Sequence, residues 1–206
     1  MRDGKDTDGA ERPETKPQRK RLRRPRKATP DYLERAALWY LERYASTSAN
    51  LRRVLCRKVD RSAQEHATDP QDGRRAVDEL IDRFQRAGLL DDRRFAEARA
   101  RSLHERGIST RGIRTRLKAK GVPAAIAEDA IDELETQLGA LEEQAALRYA
   151  RRRRIGAFRV ANKRADYRER DLASLARAGF TLGIARTIVD AENETDAIER
   201  LGLEAV

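Results

Sequence analysis

Two neighbouring acids, Asp91 and Asp92, are the first side chains in this sequence that could do chemistry, since paired carboxylates can act in acid–base catalysis or hold a metal ion. The pair directly follows Gly88-Leu-Leu and precedes Arg93-Arg-Phe95. An acid placed between a glycine and a helical stretch is typical of an N-cap, and a second acid in the first turn favours the positive end of the helix. We therefore interpret both carboxylates as structural groups that begin a helix.

Histidine and cysteine offer no better start for catalysis or metal binding. His66 and His104 are the two histidines, and no Cys or carboxylate around them completes a metal ligand set. We expect His66 in a polar loop, His104 exposed beside Glu105, and Cys56 as a small buried apolar residue. No segment matches a phosphate-binding Gly-rich loop or a nucleophile elbow. The sequence thus predicts a protein that is not an enzyme and uses no metal or cofactor.

Cations are the residues that stand out, and they form two dense runs. The first lies on a short helical segment whose apolar face is only Ile113 and Leu117, with no acid between Glu105 and Glu128. The second holds eight cations with no acid before Asp166. The two runs supply the candidate residues for binding a partner or nucleic acid: Arg111, Arg114, Arg116, Lys118, Lys120, Arg148, Arg151, Arg152, Arg153, Arg154, Arg159, Lys163 and Arg164.

Structural explanations for these runs stay open. A charge run is often only the solvated face of a helix, and cations at a helix C-terminus are stabilised by the helix dipole. The four successive arginines Arg151 to Arg154 turn by about 100 degrees per residue, so they cannot share one face and some must point outward. In the functional interpretation, these arginines bind phosphates or carboxylates of a partner.

The composition of the chain also indicates an anionic partner. The 206 residues carry 45 Lys and Arg against 35 Asp and Glu, a net charge of +10, and residues 1–28 alone hold eleven cations, five acids and three prolines. We predict that residues 1–28 form a disordered basic arm, since they cannot bury enough apolar surface to become ordered. One cysteine, no secretory signal and no apolar run of about 20 residues predict a cytoplasmic protein.

The elements that must position the cations are helices throughout. Apolar residues recur with a period near 3.6 and never alternate over a long stretch, so the sequence predicts an all-α fold. Four segments end as helices typically end, in a glycine followed by an apolar residue: Gly88, Gly107, Gly121 and Gly179. The residues that should begin helices are Thr29, Asp91, Ser109, Pro123 and Thr181. The segment from Asp166 to Glu169 resembles a capping box.

The predicted helices form an internal repeat. Glu42-Arg-Tyr-Ala-Ser-Thr, followed by Leu51, resembles Glu105-Arg-Gly-Ile-Ser-Thr, followed by Ile113. We predict three-helix repeats over 30–88, 89–136 and 137–192, with a C-terminal tail at 193–206. Because each repeat is too small to be securely stable alone, neighbours should bury each other's faces in an elongated, curved array of three tandem repeats.

These residues resemble the RecX family, bacterial regulators of the RecA recombinase, over roughly residues 31–192. The match is most specific between Ala87 and Ile131, where Gly88-Leu-Leu-Asp-Asp is followed by Arg106-Gly-Ile-Ser and then by Lys120-Gly-Val. The sequence departs from the family pattern in its basic arm and in a polar loop expected over residues 62–72.

The resemblance implies a helical array that lies in the groove of the RecA filament on single-stranded DNA. There it would restrain the recombinase, ATPase and coprotease activities in DNA repair and the SOS response, without catalytic residues or a metal. We expect a monomer that also binds single-stranded or double-stranded DNA with low specificity.

Two other functions compete with this one. In the first, the helix from Ser109 to Lys120 is the recognition helix of a helix-turn-helix protein that acts directly on DNA, as the net charge alone would favour. That segment lacks Asn or Gln to read bases, and a single reading head does not explain the repeat. In the second, the chain is an arginine-rich RNA-associated factor, although it lacks interleaved aromatic residues for base stacking.

Overall fold

The computed structural model of the chain describes residues 25–204, and over this range it is entirely helical. Ten α-helices and two short 3-10 turns account for its secondary structure, with no strand in the described range. This confirms the predicted all-α fold. Residues 1–24 of the predicted disordered arm lie outside the described residues. The last residues of that segment, 25–28, contact the helix that ends at His66. The Ala28 amide donates to Ser62 Oγ at 2.9 Å, and the Pro25 carbonyl lies 2.8 Å from His66 Nε2.

The helices fall into three triplets and a final short helix. The bounds are α1 Pro30–Leu41, α2 Ser48–His66, α3 Pro70–Arg86, α4 Asp92–Glu105, α5 Thr110–Ala119, α6 Ala124–Leu138, α7 Leu141–Arg153, α8 Arg164–Ala178, α9 Leu182–Val189 and α10 Glu194–Arg200. The 3-10 turns, Gly156–Phe158 and Ala161–Lys163, connect α7 to α8. We call α1–α3, α4–α6 and α7–α9 the first, second and third helix triplets.

The predicted helix boundaries are largely confirmed. The side chains of Thr29, Asp91, Ser109 and Thr181 each accept a backbone N–H three residues on, as N-caps do. Gly88, Gly107, Gly121 and Gly179 all have positive φ, between 68° and 100°, at helix ends. The chain then folds back: the Phe180 amide donates to the Leu175 carbonyl at 3.2 Å, and equivalent bonds follow the other three glycines.

Two local predictions are wrong. The segment from Asp166 to Glu169 is not a capping box, because a 3-10 turn leads straight into α8 at Arg164 and leaves Asp166 inside the first turn. The expected polar loop over residues 62–72 is mostly helical. There α2 continues to His66, and α3 starts at Pro70 with Asp69 as its cap, so only three residues connect the two helices.

Each triplet has its own hydrophobic core. Leu51, Leu55 and Phe84 are buried in the first, and Ile113 and Leu117 in the second. The third is centred on a pair of rings, Tyr149 and Phe180, with centroids 5.6 Å apart, together with buried Leu175 and Ile188. Whether the segments 30–88, 89–136 and 137–192 behave as separate folding units stays a prediction.

The segment predicted as a C-terminal tail contains α10. Asn193 caps this helix by accepting the Asp196 amide at 3.0 Å. Its Ala197 is fully buried in a small cluster with Leu147 and Ala157. The tail therefore covers one end of the third triplet.

The two junctions between successive triplets are built from the same bonds. At the first, the Thr47 hydroxyl caps α2 and also donates to the Lys120 carbonyl at 2.6 Å. At the second, the Ser109 hydroxyl caps α5 and also donates to the Ala178 carbonyl at 2.7 Å. A hydroxyl can accept and donate at once, so one side chain both begins a helix and holds the next triplet.

A carboxylate completes each junction. Asp92 Oδ1 accepts the Ser48 amide at 2.7 Å, and Glu142 Oε2 accepts the Thr110 amide at 2.9 Å. In both cases the amide is the first of the helix that the hydroxyl caps, and the acid lies in the first turn of the next triplet. Asp91 is the N-cap that we predicted, while its neighbour Asp92 binds the preceding triplet.

Candidate interaction surface at the second junction

Five arginines line one cleft at the second junction, between α5, the end of α7 and the end of α8. The cleft has a volume of about 880 Å³, and its walls contain no Asp or Glu. We call it the second-junction cleft. Its arginines are Arg111, Arg116, Arg152, Arg153 and Arg177.

Two glycines in the walls of this cleft lie very close to the neighbouring triplet. A Cβ on Gly107 would lie 2.7 Å from the Tyr149 nitrogen, and a Cβ on Gly179 would lie 2.6 Å from Ser109 Oγ. Only glycine permits these approaches, and both glycines also have positive φ. The end of α4 therefore packs closely on α7, and the end of α8 packs closely on the start of α5. These contacts bring cations from the second and third triplets to one place.

The second triplet contributes the end of α4 and one face of α5. Ile113 and Leu117 are fully buried and fix the orientation of α5. Arg111 and Thr115, four residues apart, share the face of α5 that borders the cleft. The Arg116 guanidinium donates to the Gly112 carbonyl at 3.0 Å and stays exposed.

The third triplet contributes the last turns of α7 and α8. Arg152 donates to the Arg106 carbonyl at the end of α4, at 2.5 Å. Arg153 lies over the Tyr149 ring, with its guanidinium carbon 5.3 Å from the ring centroid. Arg177 is exposed in the last turn of α8. Helix C-termini favour such cations, but the dipole neutralises them only partly.

None of the five cleft arginines forms an ion pair within residues 25–204. Guanidinium groups bind carboxylates and phosphates through paired hydrogen bonds, so a group of them without acids suits an anionic partner. The charge of the cleft is therefore complementary to that of an anion.

Comparisons with known proteins identify the family of this chain. The family model described as "RecX, second three-helix domain" matches residues 91–131. The regulatory protein RecX of Myxococcus xanthus is 44% identical over 169 residues, which cover 82% of this chain and 89% of that protein. The chain belongs to the RecX family of regulatory proteins. RecX of Streptomyces coelicolor is 35% identical over 133 residues, 63% of this chain and 68% of that protein.

A solved structure supports the fold of this RecX-family chain. The crystal structure of RecX from Lactobacillus salivarius superposes with a TM-score of 0.56, at 23% identity, over 78% of this chain and 94% of that one. The family model and the relatives confirm the resemblance to the RecX family that we inferred from the sequence. None of the helices between residues 25 and 204 is long and apolar enough to span a bilayer.

Several predicted binding residues lie outside the cleft and have acidic partners. Arg114 donates to Glu128 at 2.8 Å, and Arg151 pairs with Glu194 of α10. No acid close in sequence can neutralise the first run, but α6 brings Glu128 next to α5, and Arg114 is paired although 14 positions separate the two residues.

Two more predicted residues are built into the third triplet. Arg159 forms a double hydrogen bond with Asp171, whose side chain is only 4% exposed, at 2.6 and 3.0 Å. Asp171 also accepts the Gly156 amide at 3.0 Å. Arg164 donates to the carbonyls of Arg159 and Ala157 at 2.9 and 2.8 Å. These arginines hold the turns between α7 and α8 together.

His104 is buried, so its expected exposure is wrong. It is 1% exposed, because the start of α7 covers the end of α4. Its Nε2 lies 3.1 Å from the Leu141 carbonyl, and Arg148 Nη1 lies 3.1 Å from its Nδ1. Burial, followed by the charge of Arg148, lowers the pKa of His104. Arg148, another predicted binding residue, thus serves the interior of the second junction.

The remaining predicted cations are exposed outside the second-junction cleft. They are Lys118, Lys120, Arg154 and Lys163. Arg154 follows α7 in a left-handed conformation, with φ of 54°, and Lys120 lines a cleft at the first junction. Of the thirteen predicted residues, the structure brings four together: Arg111, Arg116, Arg152 and Arg153.

Sequence reasoning missed Arg177. It stands alone among apolar and small residues, so no charge run marks it. The available signal was its place two residues before Gly179, in the basic last turn of a helix. Such a position suggests a helix end, and only the meeting of α5 with α8 turns it into part of a surface.

Proposed function

We propose that this chain is a non-enzymatic regulator that binds the RecA filament on single-stranded DNA and inhibits its recombinase, ATPase and coprotease activities. Membership of the RecX family supports this function. The single observation that carries it is the second-junction cleft, where five arginines face solvent without a carboxylate partner in the described chain.

The repeated junction supports a filament as the partner. The same hydroxyl and carboxylate bonds join the first triplet to the second and the second to the third. Triplets joined alike present their surfaces at regular steps, and a filament presents its subunits at regular steps. Several modest contacts made at once then give high overall affinity.

The arginines supply the attraction in this mechanism. Guanidinium groups in the cleft bind carboxylates of the filament groove or phosphates of the DNA within it. A chain that occupies the groove keeps out a second DNA strand and any repressor that would be cleaved there. Low-specificity binding to bare DNA follows from the same charges.

A helix-turn-helix mode fits the geometry less well. Recognition helices contact base edges with their N-terminal residues. Here the N-terminus of α5 is closed by the second junction: Ser109 is buried, and the Thr110 amide is bound by Glu142. Arg114, in the middle of the helix, is bound by Glu128. This geometry favours action on RecA over sequence-specific recognition of DNA.

A titration of RecA ATP hydrolysis on single-stranded DNA tests the proposal. We expect inhibition with fewer copies of the chain than of RecA, since one array spans several subunits. The double variant Arg153→Glu/Arg177→Glu should need about tenfold more protein for the same inhibition, because it reverses charge inside the cleft. The matched control is Arg35→Glu/Arg57→Glu, which changes the net charge equally at exposed arginines outside the cleft.

Two results would count against this function. Inhibition that appears only once the chain has coated all free DNA would favour direct action on nucleic acid. Equal potency of the cleft variant and its control would mean that total charge, and not this cleft, decides binding.

A further inference from the structure

The first junction also opens into a cleft, but its walls combine large apolar side chains with cations. This first-junction cleft has a volume of about 580 Å³ and lies between the end of α1, the end of α3 and the side of α4. Leu41, Tyr44, Leu89, Phe95 and Ala98 provide its apolar walls. Leu89 is 53% exposed and Tyr44 is 52% exposed. Large apolar side chains left this open around a concave surface are typical of a binding site.

The first-junction cleft is also lined by cations that have no acidic partner in the described part of the chain. Arg94, Arg99 and Lys120 line the cleft, and none of their side chains has an acidic partner within residues 25–204. The one carboxylate in the walls, Asp91, accepts the Arg94 amide at 2.9 Å as the cap of α4. An occupant that complements the cleft therefore combines an apolar group with negative charges.

Single-stranded nucleic acid fits this cleft poorly, although it is also negatively charged. Bases stack on open aromatic faces. The nearby Trp39 ring is covered by Arg43, with the guanidinium carbon 4.2 Å from the ring centroid. Tyr44 packs against Tyr40 with centroids 5.0 Å apart, and Phe95 packs on the core of the second triplet. Because the Tyr44 and Phe95 rings already pack against other residues, the cleft suits an apolar side chain better than a base.

We propose that the first-junction cleft binds a protein segment in which one bulky apolar residue is flanked by carboxylates, and that this segment belongs to the RecA filament. The inference rests on the proposed function and extends it with a second contact of different chemistry. The apolar residue of the partner lies between Leu89 and Tyr44, and its acids pair with Arg94, Arg99 and Lys120. Apolar anchors in desolvated pockets contribute most of the affinity of many protein interfaces.

Binding to RecA filaments on single-stranded DNA, compared with binding to the DNA alone, tests the inference. Leu89→Glu places a charge where the apolar residue would lie, so filament binding should weaken by about tenfold. The control is Leu182→Glu, since Leu182 is 49% exposed and outside both junction clefts. Both variants change the net charge equally, and both should bind bare DNA alike.

A second pair of variants examines the charges. Arg99→Glu should weaken filament binding several-fold more than Arg57→Glu, an exposed arginine outside the cleft. Circular dichroism and thermal unfolding of all four variants establish that they fold.

The outcomes separate the inference from the proposed function. Failure of the unaltered chain to bind filaments would overturn both. Filament binding by the unaltered chain, together with Leu89→Glu that binds as tightly as Leu182→Glu, would overturn the inference alone. Equal losses of filament and bare-DNA binding in Leu89→Glu would assign the cleft to nucleic acid and also overturn it.

Discussion

The first and second junctions share a backbone joint and differ in everything around it. Thr47 and Ser109 make the same pair of bonds, one to their own helix and one to a carbonyl just before a glycine of the next triplet. The first joint opens into a cleft with both apolar and cationic walls, and the second into a cleft of five arginines. The joint therefore sets how triplets are stacked, while the surrounding side chains set what each junction can bind.

The atoms that face a close-packed glycine also differ between the two junctions. A Cβ on Gly121 at the first junction would lie 2.5 Å from the Cβ of Ala49, a side-chain atom. A Cβ on Gly107 at the second junction would lie 2.7 Å from the Tyr149 nitrogen and 3.0 Å from the Ala145 oxygen, which are backbone atoms of α7. Backbone can move only with its whole helix, so the second junction tolerates less change.

Gly107→Ala should have the largest effect on stability. The substitution adds a left-handed strain of about 1 kcal/mol and about 2 kcal/mol of overpacking against α7. Chemical unfolding should therefore show a loss of about 3 kcal/mol in the free energy of unfolding.

Gly88→Ala is the matched control for that variant. Gly88 has nearly the same φ, 70° against 68°, but no atom lies within 4 Å of its added Cβ. It should lose only the strain of about 1 kcal/mol, with Gly121→Ala between the two. Equal losses for Gly88→Ala and Gly107→Ala would show that close packing at the second junction contributes nothing.

Removal of the junction hydroxyls should have the next largest effect. Ser109→Ala and Thr47→Ala each remove a helix cap, worth about 1 kcal/mol, and a bond across a junction, also worth about 1 kcal/mol. Thr181→Ala is the control, because the Thr181 hydroxyl caps α9 by accepting the Ile184 amide, with no bond across a junction. We expect a loss of about 2 kcal/mol in the first two variants and about 1 kcal/mol in the third.

The measured quantity is again the free energy of unfolding. A loss in Ser109→Ala or Thr47→Ala no greater than in Thr181→Ala would mean that the hydroxyls only cap their own helices. A loss in only one of them would show that the two joints, alike in geometry, differ in strength. Thr47→Ser retains the hydroxyl and should recover most of the stability lost in Thr47→Ala.

The sequence predicted features that depend on a few neighbouring residues. Asp91, Ser109 and Gly179 were identified as caps and helix ends because capping needs only one side chain or one left-handed residue at a fixed offset. The apolar faces of α5 and α6 were predictable for the same reason, since a helical period is local. Comparison of the segments with one another extended this to three successive repeats.

Contacts between distant residues could not be predicted in this way. The pair of Arg159 with Asp171 spans 12 positions, and the contact of His104 with Leu141 spans 37. Ser109 was interpreted as a cap, but its bond to Ala178 depends on where α8 ends in space. The second-junction cleft combines four predicted cations with the unpredicted Arg177, because the end of α8 meets the start of α5 there.

A pH dependence that belongs to the second junction alone should be the smallest effect. His104, in the last turn of α4, packs against the start of α7 at the second junction. No histidine lies in the walls of the first-junction cleft. The neutral ring of His104 is fully bonded: Nε2–H donates to the Leu141 carbonyl, and Nδ1 accepts from Arg148. A proton on Nδ1 would break the second bond and place a charge beside Arg148, with Arg101 adding to the repulsion and Glu105 opposing it.

The direction follows from proton uptake by the two states. The pKa of His104 in the folded chain lies below its ordinary value of 6.5, so below that pH the unfolded state binds the proton first. The contribution of His104 to stability is therefore complete above pH 6.5 and is lost as the pH falls toward the lowered pKa. The midpoint temperature of thermal unfolding should decrease as the pH is lowered from about 7.5 to about 5.5. His104→Gln should remove this part of the pH dependence. His66→Gln removes the other histidine, outside both junction clefts, and should leave that part intact. A pH dependence that persists in His104→Gln would show that His104 does not cause it, and would leave the close backbone packing of Gly107 and the arginine cleft as what distinguishes the second junction.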